Sequence, residues 1–315
     1  MNGTKIRSSL LLLLTAFIWG TAFVTQTESM EHMGVLTFCA ARNLLGAVVL
    51  LPVIFITRGR KKKLPQDGQK PADKRTIIIA GLCCGAALCV ASLLQQYGLS
   101  MTTVGKGGFI TALYIIFTPI FGIFIGKKPP KIIIAGALLA AFGMYLLCMS
   151  GEKFSLGLGD LLVLLCAAAF AVHILIIDKF SSQVDGVVLS CIQFFVCFAV
   201  CTIGAIIFEK PSFSQLTDGA VSILYAGVLS SGVGYTLQIV GQKGLNPTAA
   251  ALILSLESVI AAVSGVAAYK LGIVSTDQTM TGRQIVGCAV VFAAVILVQL
   301  PWEDFAAKIR NNQQK

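Results

Sequence analysis

Residues 94–119 read LQQYGLSMTTVGKGGFITALYIIFTP and join two apolar segments through a short link rich in small residues. A related arrangement returns late in the chain, where LQIVG at 237–241 closes one apolar segment and NPTAA at 246–250 opens the next. In both copies a Leu-Gln-x-x-Gly signature precedes an opening of small residues. The two copies predict an internal repeat.

The composition places the chain in the membrane. Hydrophobic residues make up 56% of the chain, charged residues 12%, and the mean hydropathy is +0.86. Soluble domains carry about 25% charged residues, and this deficit is typical of an integral membrane protein. The 315 residues leave room for about ten helices of ~20 residues. We predict membrane spans at 8–27, 34–57, 76–99, 105–126, 131–149, 157–178, 186–208, 219–242, 247–270 and 281–300.

The distribution of Lys and Arg predicts the orientation. Eighteen of these residues fall on one side of the ten spans and five on the other, with Arg42 inside a span. Eight of the eighteen lie in the basic, proline-containing link 58–75. Positive charge stays cytoplasmic. The sequence therefore predicts a multi-pass protein of the cell (cytoplasmic) membrane with both termini in the cytoplasm.

Each half has five spans, and this odd number makes the two halves run in opposite directions across the membrane. The predicted fold is thus an all-α integral membrane protein of ten transmembrane helices in two inverted five-helix repeats. The repeats cover 8–149 and 157–300, followed by a cytoplasmic tail at 301–315 that is either a short amphipathic helix or a fraying end. Aligning the Leu-Gln signatures gives one offset, whereas aligning Thr118-Pro119 with Glu257-Ser258 needs a four-residue gap.

Two charged residues lie where lipid should exclude them. Glu257 is near the middle of the ninth span, and Arg42 is about eight residues into the second. Insertion scales assign such groups roughly 2.5–3.5 kcal/mol at a helix centre, so each should face the bundle interior. They could contact a solute, and Glu257 could carry a proton. The alternatives are a structural ion pair, hydrogen bonds to free carbonyls or, for Arg42, snorkelling or pairing with Glu31.

Pro119 and Ser258 are the candidate kink or gating positions. Pro119 removes a backbone hydrogen bond deep in the fourth span, and Ser258 loosens the ninth less strongly. A kink near the midplane exposes carbonyls to a cavity. A packing bend without any ligand is the alternative.

Polar and aromatic stripes on six spans predict one central cavity. The side chains that we predict to contact a solute are Trp19, Arg42, Gln95, Tyr114, His173, Tyr235, Gln238 and Glu257. Such residues also hydrogen-bond between helices at ~0.6 kcal/mol each, which is the competing explanation for any single one, His173 above all.

Enzyme signatures are missing from the sequence. It contains no Walker loop, no Rossmann fingerprint on a strand-turn-helix and no His-Glu-x-x-His, and the glycine-rich run 227–234 falls inside an apolar helix. The ten cysteines lie in apolar runs without a Cys-x-x-Cys pair. We therefore predict no catalytic residue, no cofactor, no metal and no nucleic-acid partner; the partners are a small-molecule solute and membrane lipid, with a homodimer left open.

Several motifs resemble the EamA family of the drug/metabolite transporter superfamily. They are Trp19-Gly20, Arg42, GKGGFITALY at 105–114, Thr118-Pro119 and SLES at 255–258. The resemblance spans nearly the whole chain and implies two inverted EamA-like repeats with a central cavity between them. Family members move small metabolites by alternating access without ATP. Glu257-Ser258 departs from the more familiar Glu-Pro.

The resulting hypothesis is a secondary transporter, an exporter of an amino acid or related polar solute, with proton coupling as an option. A passive facilitator or channel is the nearer alternative. An integral-membrane enzyme acting on lipids is the more distant one, because it would need clustered carboxylates, histidines or a metal site near one surface.

Overall fold

The computed structural model describes residues 3–61, 72–102, 104–148, 157–272 and 280–299, and every regular element in these ranges is helical. Residues 62–71 of the basic link and the predicted tail 301–315 lie outside the described part. The elements are α1 (Gly3–Ser29), α2 (Val35–Lys61), α3 (Lys74–Leu99), α4 (Val104–Ala112), α5 (Tyr114–Phe124), α6 (Lys131–Cys148), α7 (Leu158–Phe180), α8 (Gly186–Phe208), α9 (Phe213–Asp218), α10 (Ala220–Leu224), a π-helical segment (Tyr225–Tyr235), α11 (Thr236–Gln242), α12 (Pro247–Leu254), α13 (Glu257–Lys270) and α14 (Gly282–Gln299).

Ten membrane helices can be recognised in this series. Eight helical stretches are long and apolar enough to cross a bilayer by length and composition, and the shorter apolar helices α6 and α14 complete the set. The fourth span consists of α4 and α5, the eighth of α10, the π-helical segment and α11, and the ninth of α12 and α13. The predicted all-α fold with ten membrane helices is confirmed.

Local capping explains where several helices begin. The Asp185 carboxylate accepts hydrogen bonds from the backbone N–H groups of Val187 (3.0 Å) and Val188 (3.2 Å) at the start of α8. The Asn246 side chain accepts from the Thr248 N–H (2.9 Å), and Pro247 occupies the first position of α12. Asp and Asn satisfy orphan donors at a helix start, and Pro has no N–H to leave unsatisfied there.

Helix boundaries recur at constant offsets in the two halves. One offset relates the ends of α1 and α7 and the starts of α2 and α8; a second relates the ends of α3 and α11, the starts of α4 and α12, and the starts of α5 and α13. The second offset pairs Gln95 with Gln238 and Tyr114 with Glu257 without any gap. The alternative alignment of Thr118-Pro119 with Glu257-Ser258 is therefore wrong.

Both repeats interrupt their fourth helix at the same place. The first break is at Leu113, whose carbonyl accepts from the Ile116 N–H (2.8 Å), and the second is at Ser255 and Leu256. Such three-residue turns tighten the helix locally. Pro119 lies within α5, beyond the break, so it does not mark the interruption. Ser258 does adjoin its break, and its hydroxyl donates to the Ser255 carbonyl (2.8 Å).

Small residues let helices of opposite repeats approach closely. α2 packs along α8, and α3 packs along α7 and α8, whereas α6 and α14 pair with each other. A Cβ atom at Gly81 would come within 2.3 Å of Ile192 Cγ2, and one at Gly85 within 2.6 Å of Val196 Cβ. This glycine pair is thus a close helix contact of the small-xxx-small type.

A carboxylate joins the two repeats at the end of the bundle that we predict to face outward. Glu209 follows α8, and its two oxygens accept from the N–H groups of Leu36 (2.9 Å) and Thr37 (2.8 Å) and from the Thr37 hydroxyl (2.7 Å). The first turn of α2 is thereby capped from the other repeat. A negative charge at a helix N-terminus satisfies free N–H groups and complements the helix dipole.

Replacing Glu209 by alanine should lower the free energy of unfolding by about 2 kcal/mol, because three charge-assisted hydrogen bonds are lost. Thermal unfolding of the purified protein in detergent measures the effect. The stability of Glu209→Gln should lie between those of Glu209→Ala and wild type, since an amide oxygen can still accept a hydrogen bond. Ser214→Ala, which removes an exposed hydrogen bond to Asp218, is the control expected to change little. A wild-type melting temperature for Glu209→Ala would contradict this role.

Candidate functional site

A cavity lies between the two repeats at the level of the helix breaks. Measured to the centres of water-sized spheres, its volume is about 30 Å³, which is room for roughly two water molecules. The wall is formed by Trp19, Phe23, Gln26, Arg42, Gln95, Thr111, Tyr114, Phe170, Ile174, Ser230, Tyr235, Gln238, Leu254 and Glu257. All but one of the predicted contact residues are on this wall; His173 is not.

Arg42 is buried and bound to an uncharged partner. It is 4% exposed, and its Nη1 atom donates to Gln26 Oε1 at 3.1 Å. Among the described residues, its Nε atom has no hydrogen-bond partner. The guanidinium carbon lies 5.4 Å from the centre of the Phe38 ring. Arg42 therefore neither snorkels nor pairs with Glu31, and no carboxylate of the described residues forms an ion pair with it.

Glu257 stands at the opposite break, also 4% exposed. It is the first residue of α13, and its Oε1 atom has no hydrogen-bond partner in the described part of the chain. The Tyr114 hydroxyl lies beside the carboxylate, but the geometry does not make a full hydrogen bond. Among the described residues no cation pairs with Glu257. A buried carboxylate in this setting is ready to accept a proton or a cationic group.

The two charges break the symmetry of the repeat. Arg42 and Gln193 occupy the same position counted from the start of α2 and of α8, and Tyr114 and Glu257 each begin the second part of their span. The first repeat thus supplies a positive group where the second has an amide. The second supplies a negative group where the first has a phenol. The cavity wall consequently carries one positive and one negative side chain.

Aromatic side chains form one wall of the cavity. The rings of Trp19 and Tyr235 are 4.6 Å apart between centroids, with an interplanar angle of 53°. Trp19 Nε1 donates to the Ser230 carbonyl (3.2 Å), and the Thr15 hydroxyl donates to the Gly234 carbonyl (3.3 Å). Both acceptors belong to the π-helical segment. π-turns are rare and often mark functional positions, and here they present backbone oxygens to α1 of the other repeat.

The neighbouring glycine shows how α1 reaches this position. A Cβ atom at Gly20 would lie 2.6 Å from Ile260 Cβ and 2.7 Å from the Glu257 carbonyl oxygen. The Ser264 hydroxyl donates to the Gly20 carbonyl (3.3 Å). Trp19-Gly20 therefore combines a cavity-lining ring with the crossing point of α1 and α13.

His173 lies behind the wall. It is fully buried, its Nε2 atom is 3.1 Å from Gln193 Oε1, and its ring makes an edge contact with Tyr235 (6.1 Å between centroids). The Phe194 ring packs against the same tyrosine, with 5.8 Å between the ring centroids. His173 thus supports the Tyr235 ring, which lines the cavity, and does not face the cavity itself.

The amides of the repeated Leu-Gln signatures both reach the wall. Gln95 Nε2 is 3.4 Å from the Thr111 hydroxyl, a long hydrogen bond, and Gln238 Oε1 has no hydrogen-bond partner within the described ranges. Gln242, one turn further, instead donates to the Ile174 carbonyl (2.6 Å) and ties α11 to α7. The cavity therefore holds amide groups with spare hydrogen-bonding capacity, which suits a polar solute.

Pro119 and Ser258 are buried near the site but do not line it. In the described part of the chain, no group of three or more His, Cys, Asp and Glu side chains could hold a metal ion.

Some wall residues were outside the predicted set. Phe23, Gln26, Thr111 and Phe170 lie three, four or seven residues from predicted residues of the same spans, which is the spacing of one helix face, so the signal existed. Ser230 contributes through the π-helical segment, which no periodicity of the sequence indicated.

Gly234→Ala should disturb the aromatic wall, because the added Cβ would lie 2.6 Å from Trp19 Nε1. We expect a loss of about 1–3 kcal/mol in stability from this overpacking and a roughly tenfold or larger fall in transport, since small displacements at a site are costly. Gly232→Ala is the matched control, because its nearest contact would be an ordinary 3.4 Å. For both variants, flux in proteoliposomes measures transport and thermal unfolding measures stability. Equal behaviour of the two variants would contradict the contact.

Comparison with known proteins finds a matching family model, similar relatives and a similar solved structure. The model of the EamA-like transporter family matches residues 6–149 and again 157–300. An uncharacterised transporter of Archaeoglobus fulgidus is 29% identical over 297 residues, covering 94% of this chain and 87% of the relative. A WAT1-related chloroplastic protein of Arabidopsis thaliana is 25% identical over 297 residues, covering 90% and 67%. A crystal structure with 17% identity superposes with a TM-score of 0.68, covering 93% of this chain and 96% of the other, which shows a shared fold.

Proposed function

This chain belongs to the EamA-like transporter family, and from that premise we propose that it is a secondary exporter of small zwitterionic metabolites such as amino acids. The observation that carries the proposal is the presence of Arg42 and Glu257, each 4% exposed, in the wall of one cavity without an oppositely charged partner among the described residues. A solute with one carboxylate and one ammonium group would compensate both.

The energetic argument is that unpaired charges inside a membrane are expensive. A structural role would favour an ion pair or a neutral replacement, because a buried charge without a partner is strongly destabilising. Here each charge contacts only neutral groups of the described chain, Gln26 for Arg42 and Tyr114 for Glu257. Retaining both charges therefore makes sense when a bound solute supplies the opposite signs.

Transport requires the cavity to open, because a space of about 30 Å³ is too small for an amino acid. We propose that the five-helix units 8–149 and 157–300 move against each other as alternating access requires. The crossing of α1 with α13 and the corresponding crossing of α7 with α5 join the units near opposite mouths. Lys127 and Asp178 form an ion pair across the second of these contacts.

Glu257 is the proposed coupling group. One carboxylate cannot hold a proton and pair with an ammonium group at the same time, so proton binding would release the solute. Exchange of an internal solute for an external proton would then drive export from the cytoplasm. The cytoplasmic membrane as location, cytoplasmic termini and a homodimer stay predictions.

Flux measurements in proteoliposomes test this function. The panel is the common amino acids, together with matched analogues that lack one charge, such as leucine against isoamylamine and N-acetylleucine. We expect at least one zwitterion to be transported, and its single-charge analogues to be transported tenfold less or worse, because each leaves one buried charge unpaired. Transport independent of a proton gradient would favour a passive facilitator. No transport of any zwitterion would contradict the proposed solute class.

A further inference from the structure

Gln26 is the direct partner of Arg42. The side chain is 5% exposed, lines the cavity, and its Oε1 atom accepts the 3.1 Å hydrogen bond from Arg42 Nη1. Its backbone carbonyl accepts from Gln96 Nε2 (2.9 Å) and from the Ser29 hydroxyl (2.7 Å). Gln26 is thus held by two further contacts, and its amide fixes the guanidinium from α1 without adding charge.

The choice of an amide at this position has an electrostatic consequence. A carboxylate would form a bidentate, charge-assisted pair with the guanidinium and cancel its charge. An amide supplies one acceptor and leaves the positive charge available to the cavity. Arg42 Nε has no hydrogen-bond partner among the residues that the structure describes, so the guanidinium retains an unused donor there as well.

From these contacts we propose that Gln26 is a specificity-determining residue: it positions Arg42 while keeping its charge uncompensated, and so selects solutes that carry a carboxylate. This inference rests on the proposed function of the same cavity. It goes further in naming what sets charge selectivity. With a carboxylate at position 26 the cavity would hold two negative groups and one positive, and would favour monocations.

The repeat supports this interpretation. Gln193 occupies the position equivalent to Arg42, and its partner on the neighbouring helix is His173. By the offset that relates α1 to α7, His173 corresponds to Ala22 and not to Gln26, so the two pairs lie one helical turn apart. What the repeats share is a polar side chain on the second helix hydrogen-bonded to a polar side chain of the first. The residue that positions Arg42 can accordingly be changed separately from Arg42. A change at Gln26 alters the charge of the pair and leaves Arg42 in place.

A double-mutant cycle on the purified full-length protein tests the electrostatic part without any solute. Gln26→Glu should raise the melting temperature by several degrees, because it pairs a buried charge that is now uncompensated. The same change in the Arg42→Gln background should lower the melting temperature, since the new carboxylate would be buried alone. Gln96→Glu, in a fully buried residue that donates to the Gln26 carbonyl and, among the described residues, has no hydrogen bond to Arg42, should be destabilising in both backgrounds. A fall of equal size for Gln26→Glu in both backgrounds would overturn the proposal.

The selectivity part has its own measurement. In the leucine and isoamylamine flux assay, Gln26→Glu should reduce the ratio of zwitterion to monocation transport at least tenfold, whereas Gln26→Ala should lower both rates and leave the ratio within about threefold. A purely structural role would not shift the ratio, and an unchanged ratio in Gln26→Glu would overturn the selectivity assignment. If wild type transports no zwitterion, the proposed function fails, and the thermal cycle still decides whether Gln26 holds an uncompensated charge.

Discussion

Arg42→Gln is expected to weaken transport of carboxylate-bearing zwitterions by thirtyfold or more. The guanidinium is the cavity's positive group. It is 4% exposed, and among the described residues it is hydrogen-bonded only to the neutral Gln26. Removing one member of a desolvated charge pair costs about 2–5 kcal/mol of binding. Kd by isothermal titration and initial flux in proteoliposomes both report the loss.

Stability should respond in the opposite direction. Because Arg42 is an uncompensated charge in the bilayer, its replacement by a neutral amide should leave the melting temperature unchanged or raise it. Arg42→Lys keeps the charge but loses the planar fork and should recover part of the transport. Thr202→Val, which removes a polar group outside the cavity wall, is the control for both readouts. If Arg42→Gln instead lost much of its stability, and its transport fell in proportion to that loss, Arg42 would have a structural role.

Glu257→Gln should abolish proton movement coupled to the solute and reduce zwitterion transport at least tenfold. The amide keeps the shape of the side chain but can neither take up a proton nor pair with an ammonium group. Proteoliposomes loaded with a pH-sensitive dye measure the proton movement that accompanies solute addition. The folded protein should be at least as stable as wild type, because an unpaired buried carboxylate is removed.

Tyr114→Phe is the matched comparison for Glu257→Gln. Tyr114 is the equivalent residue of the other repeat, and its hydroxyl lies beside the Glu257 carboxylate. Its removal should alter affinity but keep proton movement, because the carboxylate remains. Unchanged coupling and affinity in Glu257→Gln would remove Glu257 from the mechanism, and loss of coupling in both variants would assign the coupling to the pair.

Much of the cavity could be predicted from the sequence because lipid penalises polar groups. Residues such as Arg42, Gln95 and Glu257 cannot face acyl chains cheaply, so their helical spacing reveals the inward faces. The same argument selected His173, which the structure places behind Tyr235. Burial alone does not distinguish a residue that faces a cavity from one that supports its wall. The role of Arg42, Gln95 and Glu257 in solute binding stays a prediction.

Other features depend on neighbours that are remote in the chain. Three contacts join different helices. Gln26 bonds to Arg42 within the first repeat, whereas Glu209 caps α2 and the Ser230 carbonyl accepts from the Trp19 N–H across the repeats. No periodicity within one helix encodes such partners. The π-helical segment is of the same kind, since its apolar, glycine-rich sequence also fits an α-helix.

The sequence by itself determined the class of the protein, the ten membrane helices, the inverted repeat and the charged residues that lipid excludes, because the bilayer imposes length, hydropathy and charge rules on each segment separately. Only the tertiary structure decided which of the predicted side chains form the cavity wall, that His173 lies behind it, and that an uncharged amide holds the guanidinium. These facts depend on how the packed helices cross. Gln26 and Arg42 meet within one half, whereas the aromatic wall joins segments of the two halves more than two hundred residues apart.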